Sequence, residues 1–364
     1  MAARDFPNSV KLRNDNVKSK KMMLFRNAII LILSLIFLVG GGICIYADQL
    51  LDKIDYTPDS GSKVSTGSLF ENGNASSGAV SAKSGILGGL YHDDAITNIL
   101  LLGCDDYQKN DSGRSDSMML VSVDTRHKKL KITSFMRDMY LAVPGYGNDK
   151  LNGAYGHVGG GAKGARKILS TLEANFGVDI DRFVIVDFSV FPKIIDHLGG
   201  VTMTLTEKEA GLVNAYSGDS KQVHAGVNNM DGLQARYYSR IRAIGNDQAR
   251  TERQRKVFSS LAGKLKKASL PQIYSVFAYV LPLVTTNMTK NEVVSLASNS
   301  LTYLHYPLKQ YRVPEEGEYR DSKKDEIVID GQPADVLILD LNKCRKSFTS
   351  FIFENDIPTG KYSG

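Results

Sequence analysis

Short apolar runs separated by polar turns dominate the middle of the chain. TNILLLG (97–103), MMLVSVD (118–124) and KITSF (131–135) are too short for helices and are bounded by turn residues, the form of strands in a largely buried sheet. Between 161 and 177, GAKGARKILSTLEANFG spaces Ile168, Leu169, Leu172 and Phe176 along one helical face, with Gly177 as the stop. FVIVDF (183–188) and VTMTL (201–205) read as strands on either side of a short helical stretch, SVFPKIIDHLGG, and a long helix is predicted to start at Asp247. Strands interleaved with helices imply an α/β domain. From Leu270 the pattern is helical and then mixed, with no second linker, so 94–357 reads as one domain with its core in 95–265 and 358–364 as a tail.

A different pattern occupies the N-terminal part. Asn27 to Ala47 contains no charged residue, long enough to cross a hydrocarbon layer of roughly 30 Å as a helix. Residues 1–26 before it carry seven Lys or Arg against Asp5 and Asp15, and this basic flank places the N-terminus in the cytoplasm and the rest outside. The expectation is a cytoplasmic tail (1–26), a single-pass signal anchor (27–47) in the cell membrane and an extracellular domain. Residues 48–93 read as a flexible stalk, because the stretch 58–90 has fifteen Ser or Gly among 33 residues and no sustained periodicity.

Charge narrows the function. The net charge of +6 resides mostly in the cytoplasmic tail, which disfavours a nucleic-acid-coating surface. Cys44, Cys104 and Cys344 are too few for a disulfide framework, and buried free thiols are the simpler reading of the last two. The six histidines lack paired-ligand spacing, GHVGGGAKGARK lacks the Gly-Lys-Ser/Thr run of a phosphate-binding loop, and no G-x-S-x-G elbow occurs.

Instead, arginine and carboxylate recur at strand ends. The first strand runs into Asp105 and Asp106; Arg114 and Asp116 open the second; Arg137 and Asp138 follow the third, with Lys150, Asn152 and Tyr155 in the next polar loop. Two carboxylates beside an arginine suit a hard divalent cation bound together with phosphate, which makes Asp105 and Asp116 candidate ligands of Mg²⁺ or a similar ion such as Mn²⁺. Turn capping is the bland alternative for such aspartates. Residues 237–257, YYSRIRAIGNDQARTERQRKV, then carry five arginines and one lysine against one Asp and one Glu. Asn246 or Asp247 caps the predicted helix; Asp247, Arg250 and Gln254 share one face, and Arg240 and Arg242 on an extended approach point the same way. An arginine face is costly to assemble unless an anion neutralises it, and a pyrophosphate does so through bidentate contacts.

LLGCDD, GRSDSMMLVSVD, ITSFMRD, KLNGAYGHVGG, VIVDFSVFPKIIDHLGGV and ARYYSRIR followed by DQARTERQ stand in the order and approximate spacing found in the LytR-CpsA-Psr family of cell-envelope proteins. The resemblance covers 95–265 strongly and the C-terminal part weakly. It implies an α/β fold with a mixed central sheet flanked by helices, an apolar cavity for a lipid tail, and transfer of a cell-wall glycopolymer such as teichoic acid or capsule. The donor would be a polyprenyl-pyrophosphate carrier and the acceptor peptidoglycan. By motif, Asp105 and Asp116 resemble the metal-linked acids; Arg114, Arg137, Arg240, Arg242 and Arg250 resemble the pyrophosphate clamp, aided by Lys150, Asp247 and Gln254. Asp105 or Asp138 would act as general base, and Phe135, Val184, Val186, Phe188 and Ile195 are candidates for the lipid cavity. Met136 stands where proline is usual and Cys104 where Val or Ile is common; neither change removes a polar group. A lipid pyrophosphatase and a non-catalytic envelope regulator are the competing readings.

Overall fold

A computed structural model describes residues 55–57, 84–104, 115–187, 190–218, 221–245 and 247–361. The expected anchor (27–47) and cytoplasmic tail (1–26), Asp105, Arg114, Phe188 and Asn246 lie outside the described residues. Of the expected flexible stalk (48–93) the described parts instead form strands, Asp55–Tyr56 in the central sheet and Ser84–Leu87 paired with Leu90–Asp93.

The apolar runs form a seven-stranded sheet. Numbered along the chain, its strands are β1 (Asp55–Tyr56), β2 (Ile96–Cys104), β3 (Ser115–Asp124), β4 (Lys129–Phe135), β5 (Arg182–Asp187), β6 (Val284–Thr286) and β7 (Leu308–Val313), in the spatial order β1-β6-β5-β2-β3-β4-β7. β2, β3 and β4 are antiparallel neighbours, whereas β5 beside β2 and β7 beside β4 run parallel, so the sheet is mixed.

Alternation along these strands decides the packing. Leu100, Leu102, Met118, Leu120, Phe183 and Ile185 are buried in one cluster with Ile168, Leu172 and Phe176 of helix α1 (Gly161–Phe176). A C-terminal helix, Leu341–Phe353, adds Phe348 and Ile352 to the same cluster. The rings of Phe135, Phe176 and Phe348 meet at 5.6 to 5.8 Å between centroids, mostly edge to face, which favours them electrostatically as well as by burial. Gly177 ends α1 as expected, at φ 73°. On the other face, Val121, Val123 and Leu130 pack against Leu296 and Tyr303 of the helix Lys290–His305.

VTMTL is a strand as expected, but outside the central sheet. Val201–Leu205 forms a strand but pairs with Gly226–Met230 in a separate two-stranded sheet. Its alternating buried and exposed pattern is that of a strand with one solvated face, which an apolar-run criterion does not separate from a central strand. This ribbon supplies Val201, Met203 and Leu205 to a second core with Ile195, Tyr238 and Val257. The core supports two helices, α2 (Gly232–Arg240) and α3 (Asp247–Lys266). α2 begins in a reciprocal cap: Gln234 N donates to Asp231 Oδ1 at 2.8 Å, and Asp231 N to Gln234 Oε1 at 3.0 Å. Gly232 lets it sit close to the neighbouring helix, since a Cβ there would lie 2.0 Å from the Pro192 carbonyl oxygen. Cys104 and Cys344 are both buried, and neither forms a disulfide among the described residues.

Candidate active site

The site forms where β2 ends, β3 begins and β4 ends. Gly103 pairs with Ser117 but Cys104 pairs with Ser115, so Asp116 is the extra residue of a β-bulge. A bulge re-aims a side chain that regular pleating would send elsewhere. Its carboxylate meets Arg137, two residues past the end of β4: Arg137 Nη1 donates to Asp116 Oδ1 at 2.8 Å. The Arg137 Nε lies 3.4 Å from Asp138 Oδ2, and Lys150 Nζ lies 3.3 Å from Asp138 Oδ1. Lys150 reaches this point because a hairpin pairs Gly147–Lys150 with Tyr140–Val143 and sets Lys150 opposite Tyr140.

α2 and α3 bring the remaining cations. Arg240 closes α2, Ile241 breaks the helix at ψ 123°, and Arg242 follows, its Nη2 4.0 Å from Asp116 Oδ2. Arg250, buried in the first turn of α3, donates from Nη1 to the Asp116 backbone oxygen at 3.2 Å. One turn on, Gln254 Oε1 accepts from Ser117 Oγ at 3.4 Å. Asp116, Arg240, Arg242, Arg250 and Gln254 line a cavity of about 270 Å³. Among the described lining residues three guanidinium groups face one carboxylate, and a pocket of that size suits a phosphate or pyrophosphate group.

Of the expected site residues, Asp116, Arg137, Asp138, Lys150, Arg240, Arg242, Arg250 and Gln254 therefore converge on one end of the sheet. Asp105 and Arg114 lie outside the described residues; Asp247 opens α3 as predicted, but its side chain also lies outside them. One local expectation needs correction: Arg240 ends a helix rather than sitting on an extended approach. The capping box at Asp231 opens a helix that continues through Arg240, and the chain leaves helical geometry at Ile241, just before Arg242. Two of the proposed lipid-cavity residues are also placed differently. Phe135 and Ile195 are fully packed in separate cores. Val184 and Val186 are half-buried, and the register sets Val184 beside Leu101 and Leu101 beside Met119, on the sheet face that Ser117 and Gln254 share.

Sequence reasoning missed two supports. Arg253 points away from the cavity and donates from Nη2 to the Ile241 and Ile244 carbonyls at 2.6 and 3.2 Å, holding the loop that carries Arg242. Nothing in an arginine-rich run separates a loop clasp from an anion ligand. The second support is the segment Tyr319–Leu337, whose short strands have no clear hydrophobic period; Tyr319 Oη accepts a hydrogen bond from Gln248 of α3.

Among the described residues two acid–histidine groupings have metal-like spacing, His92/Asp179/Asp181 and Asp124/His127/Glu354. In the second, Lys131 Nζ lies 2.6 Å from Asp124 and occupies the cation position itself. In the first, His92 bonds Asp179 from Nδ1 at 2.9 Å and Asp94 from Nε2 at 3.0 Å. Burial opposes its charge, but Asp179, Asp181 and Asp94 together raise its pKa to about 9. Burial and the neighbouring Asp179 raise Asp181 well above the carboxylate range. Both groupings lie at the opposite end of the sheet from Asp116: Asp124 closes the strand that Ser115 opens, and Ile96 pairs with Asp124.

An α/β protein whose mixed sheet ends in an arginine-lined anion cavity is the class these features define. The chain belongs to the LytR_cpsA_psr family, whose model matches residues 52–336. It is 34% identical over 174 residues to the polyisoprenyl-teichoic acid–peptidoglycan teichoic acid transferase TagU of Oceanobacillus iheyensis, covering 47% of this chain and 52% of that protein. The chain thus spans about half the length of that relative. To regulatory protein MsrR of Staphylococcus aureus (strain Mu50) it is 30% identical over 242 residues, 64% of this chain and 69% of the relative. Its fold is similar to a solved structure of the LytR-CPS2A-psr family protein YwtF (TagT) with bound octaprenyl pyrophosphate lipid, at TM-score 0.52 and 21% identity, over 71% of this chain and 90% of the other.

Proposed function

We propose that this chain is a membrane-anchored phosphotransferase that moves a cell-wall glycopolymer from a polyprenyl-pyrophosphate carrier to peptidoglycan outside the cell, with residues 27–47 as the anchor. The observation that carries the reading is the convergence of Arg240, Arg242 and Arg250 on a small cavity facing Asp116. The teichoic acid transferase name of the TagU relative and the pyrophosphate lipid in the TagT structure support it. In this reading the three arginines and Arg137 hold the pyrophosphate, and half-buried Leu101, Met119, Val184 and Val186 offer an apolar surface beside it for the start of the lipid tail.

An acceptor hydroxyl attacks the glycan-linked phosphorus in line, the bond to the bridging oxygen breaks, and polyprenyl phosphate leaves. The acceptor proton passes to a carboxylate, Asp138 or Asp105. Preorganised guanidinium groups stabilise the charge that grows on the leaving phosphate, the main electrostatic term in phosphoryl transfer. The bulged Asp116 offers a hard oxygen donor at the cavity wall, and with Asp105 it would hold Mg²⁺ or Mn²⁺. When bound, such an ion supplies further neutralisation of phosphate charge.

The test is incubation of the full chain in detergent with a synthetic polyprenyl-pyrophosphoryl saccharide and peptidoglycan fragments, followed by mass analysis. A saccharide-phosphoryl adduct on the fragments is expected. Release of saccharide phosphate to water alone would make the protein a pyrophosphatase, and tight donor binding without turnover would support a regulatory role.

A further inference from the structure

A second cleft, of about 510 Å³, adjoins the anion cavity and differs from it in charge. Arg137, whose guanidinium bonds the Asp116 of the first cavity, lines the second together with Asp138, Lys150, Tyr319, Asp321 and Asp335. Two cations against three carboxylates leave this cleft slightly negative, whereas its neighbour is positive. A polyphosphate or anionic polymer is therefore drawn to the first and repelled by the far wall of the second.

That far wall is built onto the site. Leu337 N donates to the Asp138 carbonyl at 2.9 Å, and Met139 forms a β-bridge with Leu337. Tyr319–Asp321 pairs antiparallel with Leu337–Leu339, which places Asp321 opposite Leu337. Gln248 of α3 bonds the Tyr319 hydroxyl, so the wall is tied both to the segment bearing Asp138 and to the helix bearing Arg250. Asp321 and Asp335 are exposed, offering carboxylate oxygens to the cleft. Exposed acceptors beside a half-buried tyrosine ring are suited to a neutral, hydroxyl-rich ligand: hydroxyls donate to the carboxylates, and the ring covers a sugar face.

We propose that this cleft is the acceptor subsite and holds an uncharged saccharide segment of the glycan strand, with Asp321 and Asp335 fixing its hydroxyls and Asp138 at the inner end beside the attacking one. This rests on the transferase reading above. It assigns a specificity role to the C-terminal segment, which the first cavity does not use.

Asp321→Ala/Asp335→Ala, both exposed and so tolerated by the fold, and Ser322→Trp, which fills the cleft, are compared with the wild-type full chain. The probes are a synthetic polyprenyl-pyrophosphoryl saccharide as donor and soluble peptidoglycan glycan strands as acceptor. The expected result is an acceptor KM raised about tenfold or more, the scale of losing one or two charged hydrogen bonds, with donor affinity within about twofold of wild type. Unchanged acceptor KM in both variants beside an active wild type overturns the subsite alone. A wild type that binds donor and transfers nothing overturns the transferase reading and the subsite with it.

Discussion

The two ends of the central sheet use the same residue types to opposite purposes. At the end where β3 closes, charges are matched and mostly buried: Lys131 bonds Asp124 at 2.6 Å and lies 3.1 Å from half-buried Glu354, buried Asp93 takes the more exposed Arg126 at 2.7 Å, and Arg182 pairs with Glu292. At the end where β3 opens, Arg137, Lys150, Arg240, Arg242 and Arg250 outnumber Asp116 and Asp138, and the Arg242 side chain is 60% exposed. A buried charge must be compensated within the protein, whereas a cationic surplus among the described residues lining a cavity is complementary to an anionic ligand. Arginine next to carboxylate is thus no functional signal by itself; the balance of charge around an accessible space is.

The largest effect should come from breaking the matched end. Lys131→Met leaves Asp124 buried with one partner fewer and should destabilise by about 3–5 kcal/mol in denaturant unfolding, with donor affinity of the folded fraction unchanged. A cost under about 1 kcal/mol would mean that the buried ammonium is dispensable. At the open end the ranking should invert. Arg240→Lys and Arg242→Lys keep the charge but lose the planar fork, so transfer should fall by on the order of 10² while the thermal midpoint hardly moves. Lysine variants with wild-type rates would return these arginines to an ordinary solvated face.

pH sharpens the contrast further. The folded His92 pKa of about 9 exceeds the ordinary 6.5, so its stabilisation is complete below 6.5 and is lost as pH rises through 9. Asp181, which burial and Asp179 raise to about 7, also lowers stability as pH rises, but at lower pH, between the ordinary carboxylate range and 7. Stability should decline by on the order of a few kcal/mol across the His92 interval, and His92→Gln should flatten the profile there. The smallest expected effect is that of Asp231→Ala, which removes the cap of α2 and should cost about 1 kcal/mol, with a modest loss of transfer through a looser Arg240. Rescue of both by Asp231→Ser or Asp231→Asn would identify the cap as the cause.

Much of this was legible in the chain because the signals are local. The strands at 97–103, 118–124 and 131–135, helix α1 with its glycine stop and the start of α3 at Asp247 all follow from side-chain periodicity and turn chemistry, which act over a few residues. The candidate residues were readable for a similar reason: strand ends and helix starts gather at one edge of an α/β sheet, so polar residues there meet. Tertiary structure alone decided the rest. Whether Val201–Leu205 joins the main sheet depends on its distant partner Gly226–Met230. The division of labour in 237–257, with Arg240, Arg242 and Arg250 at the cavity and Arg253 turned onto the Ile241 and Ile244 carbonyls, depends on which side of α3 faces the loop. The second cleft needs Tyr319–Leu337 brought back against Met136–Met139, a contact nearly two hundred residues apart in sequence. Periodicity carries which face of an element is apolar, but the partner of that face is fixed only when distant segments close around a common core.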